Sequence, residues 1–253
     1  MTLAAYEAEA REFVEAIGRE HYLNGAGLKP TLAIAPLFAR YRHLFARPAV
    51  ETALAWRSDR RGAHLARFAA TGYLDDAVAS LDEEITNGLT AATVEWDGEP
   101  IPYRLASTRL ANEPDPDRRH ELERRIQTVT ARFNPRRRER WEQLHSEARS
   151  LGFASYRALC EEVGALPLAS LAETMRRLLE ESAAPYFAQL DRYLERLGVP
   201  RDEATPADLH HLFRAPHFDA LFPSERLIPS LERVTDGLGI PLTELPNLHL
   251  DVE

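Results

Sequence analysis

The chain has 253 residues, 44% of them hydrophobic and 28% charged, with a formal net charge of −9 and one cysteine. These values suit a globular protein with a real core. They exclude an internal disulfide or a cysteine-based zinc cluster, and they disfavour nucleic acid, which needs a basic surface. No apolar run approaches the roughly 18 residues of a membrane span. Met1–Glu7 has an acid, Glu7, and no base where a secretory signal needs a basic start, so no membrane partner and a cytoplasmic location are expected.

Helical spacing of apolar residues dominates the chain. A first helix is expected from about Thr2 to Leu23, stopped by Asn24-Gly25-Ala26-Gly27. Lys29-Pro30-Thr31 then opens a second through Phe38, Tyr41 and Phe45, closed by Pro48. From about Ser58 a longer helix carries Leu65, Phe68, Leu74, Val78, Leu81 and Ile85 along one face. The pattern changes at Val94-Glu95-Trp96-Asp97-Gly98, where Asp-Gly favours a tight turn, so a small β-hairpin is expected over about 94–104. Pro100 and Pro102 confine its second arm to an edge.

Helices resume after Asn112-Glu113-Pro114-Asp115, one carrying Leu122, Ile126 and Val129, the next turning Trp141, Leu144, Ala148 and Leu151 inward. Gly152 ends that helix and Ser155 starts a short one. The longest helix is expected from Leu168, with a kink or break at Pro185. Thr205-Pro206-Ala207-Asp208 and Pro223-Ser224-Glu225 open two more. Residues 247–253 alternate polar and apolar, as a half-buried strand does. The fold class is therefore all-α, a multi-helix antiparallel bundle with one hairpin and a C-terminal strand fragment. It is one helical region over 1–253, with subdomains 1–112 and 113–246, and 247–253 begins a strand belonging to a catalytic portion outside the chain.

A helical zinc peptidase needs His-Glu-x-x-His, two imidazoles one turn apart beside a glutamate that activates water. The sequence has no such motif; His120-Glu121-Leu122-Glu123-Arg124 puts arginine where the second ligand belongs. That segment lies in a basic stretch from Arg118 and Arg119 to Arg140, interleaved with acids and read as a solvated, ion-paired face. Glu142-Gln143-Leu144-His145, with Asp117 and His120, matches the spacing of a carboxylate-bridged di-iron bundle loosely. Cys160 stands beside Glu161 and Glu162, which would raise a thiol pKa, so it is read as structural. Three histidines, His210, His211 and His217, fall within eight residues. His210 and His211 point about 100° apart on a helix and cannot easily share an ion; the three are candidates for lining a substrate cleft.

Glu147-Ala148-Arg149-Ser150-Leu151-Gly152-Phe153-Ala154-Ser155-Tyr156 resembles a segment of the helical half of zinc oligopeptidases of the thimet oligopeptidase and oligoendopeptidase F type. Thr205-Pro206-Ala207-Asp208, Leu221-Phe222-Pro223 and Leu238-Gly239-Ile240 follow the same family's order, and Leu110 to Asp115 after the hairpin looks like its bacterial relatives. The resemblance implies a helical N-terminal part that walls a deep channel for oligopeptide substrates. It also implies a downstream catalytic half of the same polypeptide as partner, with zinc as the cofactor of the full-length enzyme. The family's metal ligands and catalytic glutamate match no position here, so no catalytic or metal residue and no cofactor is assigned to this chain, which alone is expected to be inactive. A free-standing helical binding or scaffold module is the alternative.

Overall fold

In the computed structural model, which describes residues 2–246 and Leu248, several of the helices begin where short polar side chains hold the first free N–H groups. Thr2 caps α1 (Leu3–Gly25), Asp59 caps α5 (Arg60–Ala91), and Asp115 caps α7 (Pro116–Ala131). Between α1 and α5 come three short helices, α2 (Ala35–Arg40), α3 (Arg42–Phe45) and α4 (Arg47–Leu54). The strands β1 (Thr93–Trp96) and β2 (Glu99–Pro102) lead into α6 (Tyr103–Asn112). After α7 follow α8 (Asn134–Ser150), α9 (Tyr156–Gly164), α10 (Leu168–Leu197), α11 (Pro206–Arg214) and α12 (Leu227–Gly237), with short 3₁₀ turns around α12. The fold is all-α with a single two-stranded antiparallel hairpin among the described residues. The strand expected over 247–253 falls outside them, Leu248 apart.

The larger core lies where α1–α5 meet α8 and α9. Phe13 is its centre: the rings of Phe38, Tyr41, Phe45 and Phe68 surround it at 4.8–6.0 Å, mostly edge to face. Gly72 of α5 is required there, because a Cβ would strike the buried Phe45 ring. A second core joins β1, α6 and α7 to α11 through Val94, Ala106, Leu110, Leu122, Val129 and Ala207.

Several expectations are corrected. Residues 31–34 form an irregular strap and the helix starts only at Ala35. Side chains hold that strap in place of backbone partners. Asn87 accepts from the Leu32 N–H at 2.7 Å and donates back to its carbonyl at 3.0 Å, while Glu20 and Glu83 accept from Ala33 and Ala35, each at 2.6 Å. Pro48 opens α4 in its first turn, where the missing N–H is harmless, and does not close a helix. Tyr103–Asn112 is helical, a segment the hairpin signal had obscured. Trp141 is exposed, with Leu144 and Ala148 alone carrying α8 inward to full burial. Pro185 leaves α10 unbroken, and α5, at 32 residues, exceeds the 30 of α10.

The hairpin is as expected: Asp97 (φ 53°) and Gly98 (φ 82°) make a two-residue turn with both centres left-handed, and Val94 pairs with Ile101. Arg118 and Arg125 of α7 lie over the Trp96 ring at 4.8 and 5.8 Å, and Arg125 also donates to the Glu95 carbonyl. Two arginines of the basic stretch thus face the hairpin.

Two substitutions test this packing. Gly72→Ala, forced against Phe45, should cost about 1–3 kcal/mol. Asn87→Ala, which strips both bonds from the strap and leaves the Leu32 groups unpaired, should cost about 1–3 kcal/mol. Urea denaturation of each variant measures the loss.

Candidate functional site

The chemistry-bearing groups gather around α11. Thr205 and Asp208 form a capping box: the Thr205 hydroxyl accepts from the helix's first turn and Asp208 Oδ2 accepts from the Thr205 N–H at 2.9 Å. Asp208 is completely buried and has further partners. Arg119, also completely buried, donates to its Oδ1 from Nε at 3.1 Å and Nη2 at 2.8 Å, and His120 Nε2 lies 2.7 Å from its Oδ2. The remaining Arg119 nitrogen donates to the carbonyls of Glu113 (3.0 Å) and Pro114 (2.7 Å).

Arg119 is therefore no part of a solvated face, as its neighbours' charges had implied, and His120 is only partly exposed. The sequence signal for this was faint. Arg119 falls three residues before Leu122 on the stripe that α7 buries, and Asp208 is the third helical residue of the capping motif. The rest of the stretch is ion-paired at the surface, with Arg136 on Glu84 and Glu139, and Arg140 on Asp82.

Burial raises the Asp208 pKa, but the Thr205 N–H, His120 and Arg119 outweigh it and hold the carboxyl below its usual range. Such a group stabilises the fold fully above its unfolded pKa of about 3.9 and loses that contribution as pH falls through the lower folded value.

The three candidate histidines part company. His210 is exposed on the outer face of α11. His211 is nearly buried, and its Nδ1 lies 2.8 Å from the Ala111 carbonyl. A carbonyl only accepts, so Nδ1 carries the proton and Nε2 is the nitrogen left for another partner. His217 lies beyond α11, exposed, its ring 4.0 Å from that of Phe218. His211 and His217 line one cleft of about 500 Å³ between the ends of α10 and α11, together with Tyr193, Leu197, Leu212 and Phe213. Arg196 stands at its edge with its guanidinium over the Tyr193 ring.

Elsewhere, His145 sits between the rings of Trp141 and Tyr156 while Glu142 is exposed, so the loose di-iron spacing does not converge. Cys160 is half-buried on α9, and Tyr156 lies one helical turn before it. Among the described residues, no group of three or more His, Cys, Asp or Glu side chains is placed to hold a metal ion, and no helix is long and apolar enough to cross a membrane.

Beyond α9 the burial pattern inverts. Sixteen large apolar side chains between Leu166 and Ile240 are exposed. Leu171, Met175, Leu178, Leu179 and Tyr186 recur along one stripe of α10, and Leu227, Leu231, Val234 and Leu238 do the same on α12. Scattered singly such residues are ordinary; ordered along helical faces they mark a surface made to be covered.

Comparison with family models, with curated proteins and with solved structures returns no match.

Asp208→Ala should cost about 3–5 kcal/mol, because it strands the Arg119 charge in the interior. The wild-type chain should also lose protection of α11 amides as pH falls below about 4. Hydrogen exchange resolves this, and Asp208→Asn should flatten the acid dependence.

Proposed function

We propose that this chain is the helical N-terminal part of a cytoplasmic zinc-dependent oligopeptidase, forming one wall of its peptide channel. The observation that carries the reading is the pair of uncovered apolar faces on α10 and α12. A downstream half of the same polypeptide is their natural cover, since obligate interfaces resemble a domain core cut in two. The resemblance around Glu147–Tyr156 gives that half its catalytic character.

The described residues supply no zinc site. The metal belongs, on this reading, to the downstream half, and no chemical step is assigned to residues here. Their part is positional, to present an apolar surface along which a short peptide lies while folded proteins are kept out. The cleft lined by His211 and His217 opens between the ends of α10 and α11.

The same faces would also serve a free-standing binding module that grips a separate helix. One experiment separates the two. The chain extended past Glu253 by its native coding sequence should cleave a quenched oligopeptide, and a chelator should abolish cleavage. It should also bind an apolar dye less than the 253-residue chain does. Cleavage that a chelator leaves untouched, or none from an extension that carries a zinc motif, overturns the peptidase reading.

A further inference from the structure

We propose that the cleft between the ends of α10 and α11 is a subsite for an aromatic or large aliphatic side chain of a bound peptide, with His211 Nε2 accepting a backbone N–H. The proposal rests on the channel reading above and assigns it a place and a preference.

Size and lining come first. A cleft of about 500 Å³ holds one large side chain with its flanking peptide groups, and its walls are the apolar Leu197, Leu212, Phe213 and Phe218 with the face of Tyr193. A small or charged side chain would leave that surface wet.

Polar complementarity is the second observation. The Nδ1–H of His211 is committed to the Ala111 carbonyl, which leaves Nε2 as the one ring atom that can accept. The last turns of α10 and α11 both border this cleft. An acceptor of this kind favours a ligand that brings an N–H group. Arg196 and His217 supply donors at the rim for its carbonyls. A peptide backbone offers both kinds of group at the spacing of one residue, whereas a lipid chain or a simple carboxylate offers no donor. The occupant is therefore a peptide segment.

The full 253-residue chain, isotopically labelled, can be titrated with N-acetyl-phenylalaninamide while the amide signals of 211–218 and the His211 imidazole signals are followed. Saturable shifts confined to the cleft are expected, with binding at least about tenfold weaker for N-acetyl-alaninamide. The fully N-methylated phenylalanine analogue, which has no N–H, should lose a comparable factor. Phe213 is 80% exposed, so Phe213→Ala leaves the fold intact and should weaken phenylalanine binding at least about threefold. Equal responses to the alanine and phenylalanine compounds, or shifts that Phe213→Ala leaves unchanged, overturn the proposal. This readout is independent of cleavage. Binding without cleavage by the extended chain sinks the peptidase reading alone, and cleavage without binding here sinks the subsite alone.

Discussion

A single buried carboxylate decides how the second half of this protein is attached to the first. Asp208 enters the interior as the third residue of a helix cap, and Arg119 enters from α7 to meet it. Neither charge touches water. Burying a charge pair brings little net stability, because desolvation offsets the attraction. Its effect is on position: a guanidinium with five fixed donors and a carboxylate with four filled sites admit one arrangement of α7 against α11. His211 on Ala111 and Arg214 on Asn112 repeat the same tie to the end of α6. Through α11, these polar bonds also place the cleft and the long α10 beyond it.

The first half is organised differently, around α5. This helix supplies core residues at Leu65, Ala69, Leu74 and Val78, the close approach at Gly72, and the side chains Glu83 and Asn87 that hold the irregular strap. The strap shows how irregular backbone is tolerated against a core. Its N–H and C=O groups are satisfied one by one from neighbouring helices, as buried backbone requires.

Much of this was legible in the sequence because it depends on local rules. The helix starts at Asp115, Ser155 and Thr205 and the turn at Asp97-Gly98 declare themselves within four residues. Where the sequence misled, a long-range partner had overridden the local signal. Thr31 looks like a helix start until Asn87, 55 residues beyond Leu32, is brought beside it. Arg119 looks like its exposed neighbours until Asp208, 89 residues away, removes it from solvent. The candidate site follows the same division. That the histidines cluster is plain from their numbering, but the proton position on His211 depends on a carbonyl 100 residues distant, and no periodicity could reveal it.

The uncovered stripes of α10 and α12 have a thermodynamic consequence. Heat capacity rises on unfolding chiefly because apolar groups become hydrated. Side chains such as Leu179 and Leu238 are already largely hydrated in the native chain, at 69% and 71% exposure, so melting these helices adds little to that increment. The calorimetric signal of the protein therefore comes chiefly from the two cores.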